Sequence, residues 1–281
     1  MPELPEVETV RRGIAPVLEG ARIERADILD ARLVRPFDPG IVAGELAGER
    51  VRAVDRRGKY LLVRFESGRV LLMHLRMTGS LRHAARGALA ADRATRAVLR
   101  MDNGSDVAFR DVRRFGTWEL LEPQEVRPTL AERLGPEPLG AFSAARLGRR
   151  LEGRRAPLKS ALLDQRTVAG LGNIYVDEAL WHSRLHPLRS AGGLDGDELR
   201  RLHRALRRVL RLGIARQGST LRDYTAPDGS YGSMQDEFRA YGRAGQPCDR
   251  CRAVLERIVV GGRGTTFCPR CQALTRASGP S

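Results

Sequence analysis

The stretch Pro247-Cys248-Asp249-Arg250-Cys251-Arg252-Ala253-Val254-Leu255-Glu256-Arg257-Ile258-Val259-Val260-Gly261-Gly262-Arg263-Gly264-Thr265-Thr266-Phe267-Cys268-Pro269-Arg270-Cys271 holds all 4 cysteines of the chain. Each Cys-x-x-Cys pair can place two thiolates on one metal from a tight turn, and two pairs complete the tetrahedral four-sulfur set that zinc prefers. Four protein ligands leave no open position. The spacing therefore predicts one structural Zn2+ held by Cys248, Cys251, Cys268 and Cys271, with two disulfides as the alternative that a reducing cytoplasm disfavours. So small a hairpin has little core of its own, and metal binding of about 10–16 kcal/mol would supply much of its folding energy. Between the pairs, Gly261-Gly262-Arg263-Gly264 is either a plain turn or a tip whose Arg263 can approach a phosphate unobstructed.

Upstream of this finger the apolar period is helical. Ser143 to Leu151, Leu158 to Asp164, Asn173 to Trp181 and Glu198 to Gln217 are four predicted helices. The last carries Leu199, Leu202, Leu206, Val209, Leu210 and Ile214 on one face and Arg200, Arg201, Arg204, Arg207, Arg208 and Arg211 on the other, which is expected to be solvated. Residues 219–234, rich in Gly, Ser, Asp and Pro, are expected to form a mobile loop, and the tail after Leu274 to fray. His182 and His186 lack the companion glutamate of a metalloprotease helix and are expected to be structural.

Further towards the amino terminus the period changes to two. A first helix over Pro5 to Glu19, ending at Gly20, precedes short strand-like segments at Arg22–Leu29, Val51–Asp55, Tyr60–Phe65, Val70–Leu75, Ala97–Met101, Val107–Phe109 and Thr117–Leu121. Four prolines between Glu122 and Pro138, around one short helical stretch, mark a boundary. The reading is an α+β protein: a helix and β-sandwich domain over 1–125, a linker over 126–138, a helical domain over 139–235, and the finger and tail over 236–281.

The chain has 281 residues and a formal net charge of +15. Such a surplus favours a polyanionic partner, because each neutralised phosphate releases counterion, although an arginine-rich solvated surface gives the same total. No run approaches about 18 apolar residues, which argues against a membrane helix. The opening Met-Pro-Glu-Leu-Pro-Glu is acidic and unlike a secretory signal, so the expectation is a cytoplasmic protein. Lys59 and Lys159 are the only lysines among 49 basic residues. Where arginine has replaced nearly every other cation, a surviving lysine can mark a site needing a compact amine that can lose its proton. A second such amine would arise at Pro2 once Met1 is removed. An α-amino group, with a pKa of about 7.7–8.0, is far more nucleophilic at neutral pH than a lysine. A secondary amine attacking an aldehyde-like carbon gives an iminium that has no N–H to lose and can act as an electron sink. Glu3 and Glu6 stand beside it as candidate acid and base, though acids before a helix are also common start signals.

Six segments together carry a resemblance. Pro2-Glu3-Leu4-Pro5-Glu6-Val7-Glu8, Arg57-Gly58-Lys59-Tyr60-Leu61-Leu62, His74-Leu75-Arg76-Met77-Thr78-Gly79-Ser80-Leu81, Asp111-Val112-Arg113-Arg114-Phe115-Gly116, Gly170-Leu171-Gly172-Asn173-Ile174-Tyr175 and the four-cysteine finger, in this order from residue 2 to residue 271, resemble the bacterial formamidopyrimidine-DNA glycosylases. The resemblance implies a helix-two-turn-helix architecture in the helical domain. It implies excision of 8-oxoguanine and formamidopyrimidines from double-stranded DNA in base excision repair, followed by β and δ elimination at the abasic site. It further implies a monomer that meets DNA in the bacterial nucleoid. On the matching positions Pro2 would be the nucleophile, Glu3 the acid near the sugar, Glu6 a group positioning the amino terminus, and Lys59 a contact to the phosphate beside the lesion. Met77, Arg113 and Phe115 would fill the void left by a flipped base, Asn173 and Arg263 would grip flanking phosphates, and Lys159 would help handle the oxidised base.

One departure is that the segment closing over the base in the family often ends in Gly-Tyr-Phe, where this chain reads Tyr231-Gly232-Ser233-Met234. Two rivals remain. The endonuclease VIII branch removes oxidised pyrimidines by similar amine chemistry, but Leu4 and the complete Met77, Arg113 and Phe115 set argue against it. A non-catalytic zinc-finger DNA-binding protein would keep the finger and the clamp without the amine.

Overall fold

The computed structural model describes residues 1–89, 91–220, 227 and 229–274. Two compact units emerge. One contains Met1–Ala131 together with Ile214–Gln235, and the other contains Glu132–Gly213 and the residues from Asp236 onward. Residues 214–235 thus group with the sandwich unit, and the short helical stretch expected among the linker prolines is a helix over Pro123–Arg133.

The first unit opens with α1 (Leu4–Leu18), whose Val7, Val10, Ile14 and Leu18 form a fully buried stripe. Glu3 and Glu6 close a capping box at its start, and Pro5 occupies the first turn, where a missing N–H costs nothing. Gly20, at φ +81°, ends it as expected. After it come β1 (Ile23–Ile28), α2 (Pro39–Leu46), β2 (Val51–Arg57), β3 (Tyr60–Phe65), β4 (Val70–His74), β5 (Gly79–Ala85), β6 (Thr95–Met101), β7 (Ser105–Asp111) and β8 (Thr117–Leu121). They form two antiparallel sheets in the orders β1-β6-β7-β5 and β2-β3-β4-β8.

The sheets face one another as the sandwich that the sequence predicts, with α1 completing the core. Ile23, Leu99, Val107 and Phe109 of the first sheet meet Val54, Leu61, Leu71, Met73 and Trp118 of the second. Phe109 and Trp118 pack edge to face at 5.6 Å. α3 (Pro123–Arg133) lays Val126 and Leu130 over Leu62, Val70, Leu72 and Leu121 on the outer face of the second sheet. Covering both faces buries every residue of β4, which explains its unbroken apolar run. Strand β5 escaped the sequence reading because Gly79-Ser80-Leu81-Arg82-His83-Ala84-Ala85 has neither alternation nor β-branched residues. Helix α2 escaped as well, although Asp38 caps it by accepting from the amides of Gly40 and Ile41.

The second unit contains α4 (Ala144–Leu151), α5 (Leu158–Leu163), α6 (Asn173–Ser183) and most of α7 (Gly196–Ala215). α6 is buried on nearly all sides. It approaches α7 so closely that a Cβ on Gly213 would stand 2.5 Å from the Tyr175 ring. β9 (Glu256–Val260) and β10 (Arg263–Phe267) form an antiparallel hairpin joined by Gly261 and Gly262, at φ +55° and +73°. Positive φ at both central residues suits the right-handed twist of a two-residue hairpin and is available to glycine without strain. The tail after Leu274 and residues 221–226 and 228 of the expected 219–234 loop lie outside the described residues.

Phe109→Ala should remove the centre of the sandwich and lower its stability by about 3–5 kcal/mol, read from denaturant unfolding of the zinc-loaded protein.

Candidate active site

Pro2 is buried at the head of α1, with Glu3 and Glu6 only 3% and 2% exposed behind it. The two oxygens of Glu6 have distinct partners. Oε2 accepts from the Glu3 amide at 2.9 Å, and Oε1 accepts from the Ser219 amide at 2.9 Å. A carboxylate engaged on both sides by backbone N–H groups holds position more readily than it shuttles protons. Gly218, at φ +79°, comes so near that a Cβ there would lie 2.7 Å from the Glu6 side chain. The base of the segment is closed by a Ser219–Ser233 bridge and by Gly232 N donating to Thr220 Oγ1 at 3.0 Å.

Lys59 follows Gly58 (φ +60°) in the two-residue turn joining β2 to β3, and it is 4% exposed. Tyr60 lies across the sheet from His74, their rings edge to face at 4.6 Å. Burial, with the charges of Arg76 and Lys59, drives the His74 imidazole down to about 3. Its Nδ1 accepts from the Arg76 amide at 2.9 Å, so a neutral ring carries its hydrogen on Nε2. His74 stood inside a quoted motif but received no role in the sequence reading.

Met77, Arg113 and Phe115 sit on two turns fastened to each other. Asp111, 1% exposed, takes a hydrogen bond from the Thr78 hydroxyl, one from Arg113 N at 3.2 Å and one from Gly116 N at 2.7 Å. Thr78 Oγ1 in turn accepts from Arg113 N at 3.0 Å. Outside this fastening, Phe115 is 52% exposed with the Arg113 guanidinium 4.8 Å above its ring. Arg114, in the left-handed region at φ +59°, grips Asp30 through two nitrogens at 2.5 and 2.8 Å, which holds that carboxyl down at about 2. Gly116 leaves no room for a side chain, since a Cβ would meet Phe109 at 2.5 Å. Asp111, Thr78 and Asp30 were missed by the sequence reading. The first two lie within quoted segments, where an uncommitted Thr and Asp beside glycine turns were the available signal.

In the second unit Lys159 departs from the expectation of a lysine presented to a base. It is fully buried, with Nζ donating to Asp177 Oδ1 at 2.6 Å and to the carbonyl of Gly264 at 3.1 Å. Asp177 Oδ2 accepts from Thr266 N at 3.2 Å. Burial pushes the Asp177 carboxyl up to about 6 against the pull of Lys159, which leaves it ionised at neutral pH. Asn173, at the start of α6 beyond the Gly170-Leu171-Gly172 turn, donates to the same Gly264 carbonyl at 3.0 Å. The residue next to Arg263 is therefore held from two sides while Arg263 itself is exposed. Glu178 accepts from the amides of Arg239, Ala240 and Tyr241, fastening the segment that leads into the finger, and burial raises its pKa.

The four Sγ atoms of Cys248, Cys251, Cys268 and Cys271 all lie within 4.8 Å of one another, and none is in a disulfide. Tetrahedral zinc with Zn–S bonds of about 2.3 Å needs sulfurs roughly 3.8 Å apart, so this set fits one structural zinc. Trp181 Nε1 donates to Cys248 Sγ at 3.4 Å and Cys271 N to Cys268 Sγ at 3.3 Å, contacts that suit thiolates carrying charge. Trp181, Ala240 and Leu255 pack around Cys248 and Cys268.

Three family profiles cover most of the chain: the formamidopyrimidine-DNA glycosylase N-terminal domain over residues 1–118, the H2TH domain of the same glycosylase over 134–225, and a zinc finger found in FPG and IleRS over 245–274. A formamidopyrimidine-DNA glycosylase of Chloroflexus aurantiacus is 45% identical over 97% of this chain and 98% of its own length. One of Cereibacter sphaeroides is 48% identical over 97% of this chain and all of its own. Among solved structures, a variant of the Lactococcus lactis enzyme bound to DNA containing Fapy-dG aligns with a TM-score of 0.90 at 37% identity, covering 97% of this chain and 100% of that one. MutM bound to DNA containing carbocyclic 8-oxo-G aligns with a TM-score of 0.89, at 37% identity and the same coverage.

Cys251→Ser should release the zinc and unfold the hairpin, read as metal content by mass spectrometry and as loss of hairpin signals by NMR. His74 has a folded pKa below its unfolded value of about 6.5, so the unfolded chain takes up the extra proton as pH falls. Its contribution to stability is present above pH 6.5 and is lost towards pH 3, and His74→Gln should flatten that part of the stability profile in denaturant titrations.

Proposed function

This chain belongs to the formamidopyrimidine-DNA glycosylase family, and we propose that it is a bifunctional glycosylase and abasic-site lyase that excises oxidised purines from double-stranded DNA. The observation that carries the reading is the amino terminus. Pro2 stands beside two buried carboxylates, one of them held by the Glu3 and Ser219 amides. With Met1 removed, the secondary amine of Pro2 attacks C1′ of the flipped nucleotide as the bond from C1′ to the base breaks. The electron pair of that bond leaves with the base, which takes up a proton. Glu3 protonates the ring oxygen as the sugar opens, leaving an iminium between Pro2 and C1′. That cation acidifies C2′, so loss of a C2′ proton expels the 3′ phosphate, and a second elimination expels the 5′ phosphate.

The other residues serve access to C1′. Extruding a base costs a few kcal/mol, and Met77, Phe115 and Arg113 offset it by filling the gap and meeting the estranged base. Lys59, Asn173 and Arg263 bind phosphates around the flipped nucleotide. Lys159 acts from within by supporting the backbone beside Arg263. The relatives are bacterial, and among the described residues no helix is long and apolar enough to cross a membrane. The enzyme is proposed to act as a monomer on nucleoid DNA in the cytoplasm.

Borohydride should trap the Met1-free protein covalently on abasic duplex, and a preparation retaining Met1 should lose trapping by about 10²-fold or more, because an acylated nitrogen has no free electron pair. Equal trapping by both forms overturns the mechanism. In defined duplexes 8-oxoguanine should be released faster than thymine glycol, and the reverse order would assign the chain to pyrimidine lesions.

A further inference from the structure

Two features of the sequence are left without work by this function: the arginine face of α7 and the histidine pair of α6. Of that pair, His186 is structural. Its Nδ1 accepts from Leu188 N at 3.0 Å and its ring packs on Phe267 at 4.6 Å. His182 instead faces the arginines. An open cleft of about 410 Å³ is lined by His182 of α6 and by Arg201, Arg204, Ala205 and Arg208 of α7.

The charges of this cleft are unbalanced, although the same helix balances others nearby. Arg200 pairs with Asp197, Arg207 donates to the carbonyls of Pro138 and Gly140, and Arg189 pairs with Glu198 at 2.8 Å. Arg201, by contrast, donates to the Ser183 carbonyl at 3.4 Å and has no ion pair among the described residues. Arg204 and Arg208 have no hydrogen-bond or ion-pair partner among the described residues. Burial first, then Arg208, Arg250 and Arg239, push the His182 imidazole down to about 4. Arg239 is paired with Asp249 at 2.8 Å, but Arg201, Arg204 and Arg208 have no ion-pair partner among the described residues, so the cleft is a region of concentrated positive potential.

We propose that this cleft is a second nucleic-acid site, binding the phosphates of a duplex segment other than the one that carries the lesion. Positions 201, 204 and 208 share one helical face and span about 10 Å of axis. A duplex presents a charge about every 1.7 Å of its length, so a rank of three guanidiniums can meet several phosphates at once. One inorganic phosphate would fill little of an opening this large. The neutral imidazole of His182 adds a hydrogen-bond donor at the inner wall. The choice of a nucleic acid as the polyanion rests on the proposed function, while the anion site itself does not.

The test uses the full zinc-loaded chain with its lesion site saturated by a short duplex carrying an uncleavable abasic analogue. A fluorescent undamaged 20-base-pair duplex is then titrated at several salt concentrations. Wild type should bind this second duplex. R204A/R208A should weaken that binding about tenfold or more and lower the salt slope by about two counterions. Excision of 8-oxoguanine from a short duplex should stay unchanged in the variant. Absence of a second binding event in wild type, or equal affinity and slope in the variant, overturns the proposal. So does binding of inorganic phosphate or of an acidic peptide that the second duplex cannot displace. If instead wild type excises no lesion yet binds the second duplex through these arginines, the catalytic reading fails and the site stands.

Discussion

Buried carboxylates that accept backbone N–H groups hold this molecule's working loops in place. Glu6 ties the start of α1 to Ser219, Asp111 ties the Thr78 turn to the Arg113–Gly116 turn, Asp177 ties α6 to β10, and Glu178 ties α6 to residues 239–241. Hydrogen bonds to a charged group contribute about 1.5–3 kcal/mol each, while an uncompensated buried charge costs far more. Each of these side chains therefore favours one loop arrangement strongly over its neighbours. A turn that would otherwise wander is held to the same geometry as the sheet or helix beneath it.

The scaffold is ordinary by comparison, and that suits its task. Two antiparallel sheets and α1 form a core whose residues do no chemistry, and the residues assigned to chemistry sit at its margins: Pro2 before α1, Lys59 in a hairpin turn, Met77 and Phe115 in turns beside strands. Turns and an element's start hold such groups on anchored backbone at the edge of the core, with Pro2 and Lys59 buried and Phe115 exposed. Where a buried side chain presses against a turn, glycine occurs, as at Gly218 against Glu6 and Gly116 against Phe109. The exposed Phe115 and Arg113 stack on one another above this base, the Arg113 guanidinium 4.8 Å from the ring.

The positive surplus is distributed unevenly. Many arginines are neutralised in pairs such as Arg114 with Asp30, Arg243 with Asp249 and Arg69 with Glu45. These hold turns and loops, whereas Arg204 and Arg208 in the α6–α7 cleft have no ion-pair partner among the described residues. Net charge alone could not distinguish these uses, because it counts a guanidinium bound to a carboxylate the same as one facing solvent.

Local chemistry along the chain was enough to recover most strands, the main helices and the four-thiolate finger. Each of these rests on spacing within a few residues or on a motif read in order. Strand β5 and helix α2 were not recovered, since their residues carry weak periodicity and form because a neighbouring strand or cap receives them. Lys159 stands out in the sequence as one of two lysines, yet its partner Asp177 lies 18 residues away and the Gly264 carbonyl 105 away, and nothing in its own neighbourhood reveals that it is enclosed. The same holds for Glu6, whose second partner lies 213 residues along the chain. Residue type and periodicity specify which groups need a partner, and only the packed chain, by bringing distant amides within 3 Å and excluding water, specifies which partner each one has.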